Sequence, residues 1–197
     1  MRKLLLILVS LCLVCCKATA PQRPHEASRP REPPHPSEYL DPVTAAMVSS
    51  VTAPMIFARA HPDVAANARQ YANIVGASVN RSGHYEYVLL VYLWSTVDSR
   101  LGAGAHPGET LLLLADDRAI RIQRDGRSLR EVGIAKPLLA PLHTRGPPRI
   151  YKTDRATLQF ISTALHLRLQ LEGDQDARPF DLWKDGRRQL GQLAAAN

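Results

Sequence analysis

The chain contains very little cysteine, and all of it lies at one end. Three of its 197 residues are cysteines, namely Cys12, Cys15 and Cys16. Since none follows, a domain formed by the later residues has no internal disulfide and no thiol chemistry of its own. Cys12 and Cys15 have the C-x-x-C spacing of redox and zinc sites. They lie inside an apolar segment, which argues against a site of either kind.

Long apolar runs are also absent. The longest run near the start, residues 4–14, has eleven residues and is interrupted by the small Ser10. A helix that spans a bilayer needs roughly 20 apolar residues, so this run is too short. Arg2 and Lys3 precede it, and a positive start followed by a short apolar run is typical of a secretory signal. The sequence therefore predicts export.

The end of this run offers two cleavage sites. Leu13-Val14-Cys15-Cys16 resembles the lipobox of bacterial lipoproteins, which implies cleavage before Cys16 and acylation of that residue. Ala18-Thr19-Ala20 fits the small-x-small pattern of ordinary signal peptidase, although Pro21 would follow that cut. An uncleaved anchor is the third alternative. Lys17 after the cysteine favours the outer membrane under enterobacterial sorting rules, with the domain facing the periplasm.

A proline-rich segment follows the cysteines. Six prolines occur between residues 21 and 36, interleaved with charged residues and without large apolar ones. Such a composition cannot bury enough surface to offset the entropy of ordering. The predicted organisation is a signal peptide over residues 1–15, a lipidated cysteine and extended tether over residues 16–38, and one domain over residues 39–197.

The predicted domain is mainly β (α+β). Strands are predicted over residues 46–52, 55–60, 71–79, 85–94, 111–115, 118–124, 128–133, 165–171 and 180–183, helices over residues 154–164 and 187–195, and a loop over residues 101–108. The clearest unit is the hairpin that turns at Asn80-Arg81-Ser82-Gly83. Both faces of its second strand are apolar, which is typical of a central strand covered on two sides. We expect an antiparallel sandwich or bent sheet with two short supporting helices.

The net charge of +7 admits two interpretations. A positive surplus could favour anionic lipid headgroups, lipopolysaccharide or nucleic acid, or it could imply no partner. Arginines recur at every third position from Arg118 to Arg130, but a strand alternates with a period of two, so they would point to both faces in turn. Acidic residues are interleaved with them. We therefore predict a solvated hairpin of mixed charge and no nucleic-acid partner.

Recognised catalytic motifs are absent from the sequence. The seven histidines show no metal-ligand spacing and no H-E-x-x-H motif. There is no G-x-S-x-G nucleophile elbow, and no G-K-[ST] follows Gly102-Ala103-Gly104. We assign no catalytic, metal-binding or cofactor-binding residue and expect no cofactor. In the predicted strand over residues 180–183, Phe180 and Leu182 point to one face and Trp183 points to the other. Trp183 is therefore the aromatic residue expected to be exposed and available to a partner.

These observations predict a membrane-anchored envelope lipoprotein that is not an enzyme and that binds a protein or an envelope polymer. Two alternatives stay open. One is a periplasmic hydrolase whose site is assembled from distant residues, because catalytic groups often converge from separate positions. The other is a structural oligomer formed by pairing of edge strands.

Overall fold

The computed structural model describes residues 35–97, 110–144, 146–173 and 178–196. Cys16, the predicted tether up to residue 34, and the predicted loop over residues 101–108 lie outside these ranges. The described residues form ten strands: β1 (Ser37–Asp41), β2 (Ala46–Ser50), β3 (Met55–Ala60), β4 (Arg69–Arg81), β5 (His84–Ser95), β6 (Thr110–Ala115), β7 (Arg118–Asp125), β8 (Arg149–Thr153), β9 (Leu167–Leu171) and β10 (Phe180–Lys184). They also form three helices: α1 (Leu129–Val132), α2 (Arg155–Thr163) and α3 (Arg187–Ala195).

The predicted hairpin is the longest unit of the sheet. β4 and β5 pair without interruption from Gln70 opposite Ser95 to Arg81 opposite His84. Ser82 and Gly83 form the turn with φ of 52° and 87°, and left-handed residues at both central positions match the twist of the flanking strands. The hairpin prediction is confirmed.

The sheet closes into a barrel, so the expected sandwich is wrong, although the mainly β class is confirmed. Eight strands form the ring in the order β4-β3-β10-β9-β6-β7-β8-β5, and β5 pairs again with β4. β1 and β2 extend the sheet beyond the ring, because β2 pairs with residues 77–80 of β4 while β3 pairs with residues 69–74. Closure leaves the eight ring strands without the open edges that a sandwich would retain.

Closure gives every barrel strand one face toward a common interior. The interior of an eight-stranded barrel is just wide enough for side chains to fill. Here it is filled by alternate apolar residues of successive strands, and these are almost wholly buried: Phe57, Ile74, Leu89, Leu113, Leu169 and Phe180. The opposite faces of β7, β9 and β10 carry exposed charged residues such as Arg121, Arg168 and Asp181. The alternation along the strands therefore separates the core from solvent.

The outer face of the hairpin is covered as well. Leu90 and Val88 point outward from β5 yet have no exposed surface. The segment that follows α1 lies over this face, and the Tyr92 hydroxyl donates to the carbonyl of Leu138 at 2.8 Å. The central-strand prediction for residues 85–94 agrees with this burial on both faces.

The predicted strand over residues 128–133 is wrong, because this segment forms α1. Ser128 and Glu131 make a capping box, in which each side chain accepts from the other residue's backbone N–H. Gly133 ends the helix at φ 112°, a left-handed conformation that favours glycine. The next strand of the sheet after β7 is therefore β8, which pairs with it. β1 and β8 were not predicted.

The two predicted helices are confirmed. Asp154 caps α2 by accepting from the Thr157 amide at 2.7 Å, and α3 spans the predicted residues 187–195. The helices pack against each other at Gly191, where an added Cβ would lie 2.8 Å from Ser162 Oγ. α3 also packs on β4 at Gly76, between the segments that pair with β2 and β3, and a Cβ on Gly76 would overlap Leu190.

Candidate functional site

Three aromatic side chains meet on the outer face of the barrel. Tyr71 of β4 and Trp94 of β5 are cross-strand partners, and their rings stack with centroids 4.2 Å apart and planes 12° apart. Trp183 of β10 meets Tyr71 edge to face, with centroids 6.4 Å apart and an interplanar angle of 84°. We call these three residues, together with Arg69 and His143 at their border, the aromatic surface.

Two features of the strands bring Trp183 to Tyr71. The strand between them, β3, places the small Ala58 opposite both Tyr71 and Asp181, which leaves space for the larger rings to meet above it. The register between β3 and β10 shifts between Leu182 and Lys184, and Trp183 is the residue at this bulge. A bulge re-aims the side chain that it carries.

Trp183 is exposed, as its position opposite to Phe180 and Leu182 in the strand predicted. Its residue surface is 60% exposed, whereas Phe180 is 2% exposed. The role of Trp183 in binding a partner stays a prediction. The Tyr71–Trp94 pair was not predicted, although a signal was present: pairing outward from the Ser82-Gly83 turn places these residues opposite each other.

Polar groups hold the aromatic surface in place. The Trp94 indole Nε1 donates to Asn73 Oδ1 at 3.0 Å, which fixes the orientation of that ring. The Arg69 guanidinium lies 4.9 Å from the centroid of Trp183, within the range of a cation–π contact. The His143 ring lies 6.2 Å from Trp94 at an angle of 36°. These contacts restrict the orientation of the rings.

The aromatic surface also has unused hydrogen-bonding capacity. Within the part of the chain that the structure describes, the Arg69 guanidinium forms no ion pair, and neither the Trp183 indole N–H nor the Tyr71 hydroxyl has a hydrogen-bond partner. A guanidinium and an indole N–H can only donate, whereas a hydroxyl can donate and accept. Two of these three groups, those of Arg69 and Trp183, can therefore only donate to a partner.

Two exposed aliphatic residues lie close along the chain to residues that border or contact the aromatic surface. Leu142, which precedes His143, is 97% exposed. Val97 is 50% exposed and lies one residue beyond Thr96, whose amide donates to the Arg69 carbonyl at 3.1 Å. Scattered exposed leucines are ordinary, but contiguous apolar surface on a soluble domain often marks an interaction site.

The arginine-rich hairpin forms a different kind of surface. A depression of about 620 Å³ lies between β7, β8 and the start of α2. Arg121 in its lining pairs with Glu172 at 3.0 Å, and Arg127 binds both Asp125 and Glu86. The hydrogen bonds from Arg127 hold the pKa of Asp125 below its usual value. Acidic groups therefore pair with two of the arginines that line this depression.

Histidine and carboxylate groups do not assemble into a metal site within residues 35–97, 110–144, 146–173 and 178–196. The Asp116 carboxylate lies close to His166. It accepts hydrogen bonds from the backbone amides of Leu165 and His166 at 3.0 and 2.8 Å. It thereby fastens the β6–β7 turn to the segment before β9, and the His166 amide is the main reason that its pKa is lowered. These hydrogen bonds give the Asp116 carboxylate a structural role, which is to hold the two segments together.

Comparison with known proteins does not assign the chain: no protein-family model, curated protein or solved structure matches it. None of the helices in the described residues is both long and apolar enough to span a bilayer. Cys16 lies outside the described residues, so lipidation stays a prediction.

Proposed function

We propose that the chain is a membrane-anchored envelope lipoprotein that is not an enzyme, and that its aromatic surface binds a protein or an envelope polymer. The observation that carries this proposal is the cluster of Tyr71, Trp94 and the 60% exposed Trp183. Trp, Tyr and Arg are the residues most enriched among those that dominate binding energy at interfaces. A rigid cluster also loses little conformational entropy on binding.

The predicted anchor and tether are consistent with the same proposal. A domain on an extended spacer can search a shell of envelope beyond the membrane, at about 3.1 Å of reach per tether residue. Tethering raises the effective concentration of the domain near an envelope partner, so a weak contact suffices.

In-cell cross-linking tests the proposal. A photoreactive residue introduced at Leu142 should capture one specific envelope protein or polymer, and Trp183→Ala should reduce that capture strongly. Tyr85→Ala is the matched control, because Tyr85 is 49% exposed and lies outside the aromatic surface. Equal capture by the wild type and Trp183→Ala would contradict the proposal. If His84→Ala or His166→Ala abolished the protein's activity in cells while folding and export stayed intact, the result would favour the alternative of a periplasmic hydrolase.

A further inference from the structure

The aromatic surface combines features that restrict the chemistry of its partner. Tyr71, Trp94 and Trp183 supply large apolar area, and Leu142 adds an aliphatic side chain that is almost wholly exposed. A sugar polymer can stack on aromatic rings but gains little from an isolated leucine, whereas an apolar peptide side chain packs against both. Aromatic residues and arginine are enriched in protein interfaces.

The charge of the surface restricts the partner further. Two other exposed arginines of the outer face are paired with acids: Arg121 with Glu172 at 3.0 Å, and Arg168 with Asp181 at 3.1 Å. Arg69 lies beside Trp183 with no acidic partner among the described residues. The Trp183 N–H and the Tyr71 hydroxyl are likewise available as donors. A complementary partner therefore presents acceptors, and a carboxylate suits a guanidinium best because it accepts two parallel hydrogen bonds.

Resting on the proposed function, we propose that the partner is a protein segment that carries a large apolar side chain next to an aspartate or glutamate. The apolar side chain packs against Trp183, Trp94 and Leu142. The carboxylate binds the Arg69 guanidinium at the border of the rings. Like charges placed opposite each other oppose association, so Arg69 also selects against basic segments.

A peptide library tests the proposal with the purified full chain. A random-sequence library displayed on phage is selected against the wild type and, separately, against Arg69→Glu. The wild type should enrich peptides in which Asp or Glu neighbours Trp, Phe or Leu. Arg69→Glu should weaken binding of these peptides by about tenfold or more and should enrich Lys or Arg at the same position.

The controls separate this inference from the function on which it rests. Arg121→Glu, a charge reversal at another exposed arginine, should leave peptide affinity unchanged, and Trp183→Ala should abolish it. If Arg69→Glu does not fold, Arg69→Gln replaces it. Its melting temperature checks that it is folded, and it should also weaken binding of the acidic peptides. Peptides without acidic preference, or Trp183-dependent binding of purified peptidoglycan or lipopolysaccharide alone, would overturn the acidic-peptide proposal and leave the binding function standing. If none of these probes showed Trp183-dependent binding, both would fail.

Discussion

Leu89 and Leu90 are neighbours on β5 that point in opposite directions, and both are fully buried. Leu89 faces the barrel interior opposite Gly76 and Tyr151, whereas Leu90 faces outward opposite Val75 and Ile150. Two consecutive residues of a strand are both buried only where each face of the sheet is covered. At the scale of the residue, stability therefore depends on the packing of the outer face of β5 as well as on the barrel interior.

We expect Leu89→Ala and Leu90→Ala each to lower the free energy of unfolding by about 2–5 kcal/mol, through lost transfer energy and a residual cavity. Urea unfolding followed by circular dichroism measures both. Leu142→Ala is the control, because an exposed leucine should change stability by less than about 0.5 kcal/mol. A neutral Leu90→Ala would mean that the outer face of β5 is not packed.

The docking of α3 on β4 depends on the absence of a side chain at one position. Gly76 faces Leu190 so closely that an added Cβ would overlap it, and Leu193 lies 3.4 Å from the same point. Leu190 and Leu193 are themselves buried, at 1% and 0% exposure, so neither has free space into which to move. At the scale of the element, Gly76 sets how closely the last helix approaches the barrel.

Gly76→Ala should therefore destabilise the protein by about 1–3 kcal/mol, because it overpacks a filled site. Gly126→Ala is the matched control, since nothing lies within 4 Å of a Cβ built there. In a double-mutant cycle measured by thermal unfolding, Gly76→Ala combined with Leu190→Ala should cost less than the sum of the single changes. Strict additivity would show that the two positions do not meet.

At the scale of the whole molecule, two carboxylates, those of Asp41 and Asp116, connect parts of the chain that are far apart in sequence. Asp41 is 2% exposed and accepts from the Ala135 amide at 2.7 Å and the Val43 amide at 2.9 Å. The Ala135 hydrogen bond is the main reason that the pKa of Asp41 is lowered. Hydrogen bonds likewise lower the pKa of four other carboxylates, those of Asp116, Asp125, Glu131 and Asp185.

These shifts predict acid-sensitive stability. A carboxylate with a lowered pKa binds its proton more weakly in the folded state, so it stabilises the fold above its unfolded pKa. The ordinary values here are 3.8 for Asp and 4.5 for Glu. The melting temperature should therefore be steady at neutral pH and should fall as the pH drops through about 4. Asp41→Asn should melt lower at neutral pH and should flatten this decline; an unchanged decline would exclude Asp41 as a source.

The predicted anchor also acts on the whole molecule. Cys16→Ala should block processing or release the protein from membranes, because stable anchoring requires two or more acyl chains. Labelled palmitate should enter the wild type and not the variant, as measured by fractionation and autoradiography. A mature N-terminus that begins at Pro21 would show that the lipoprotein prediction is wrong.

Local patterns predicted the elements that depend on local chemistry. Alternation with a period of two predicted β9. Two apolar runs separated by turn-forming residues predicted the β4–β5 hairpin. The N-cap Asp154 and the apolar spacing after it found α2. The same reasoning missed α1. Ser128 and Glu131 have the spacing of a capping box, but residues 128–133 follow two predicted strands and were interpreted as a third.

The sequence by itself determined the mainly β class, the long hairpin with its two covered faces, the two longer helices and the outward phase of Trp183. Each of these depends on residues that are close along the chain. Only the tertiary structure decided that the sheet closes, since closure requires β5 to pair with β8 and β3 with β10 across long stretches of sequence. The aromatic surface was decided in the same way: Trp183 reaches Tyr71 only because the barrel places β10 beside β3, where Ala58 leaves room for the two rings to meet.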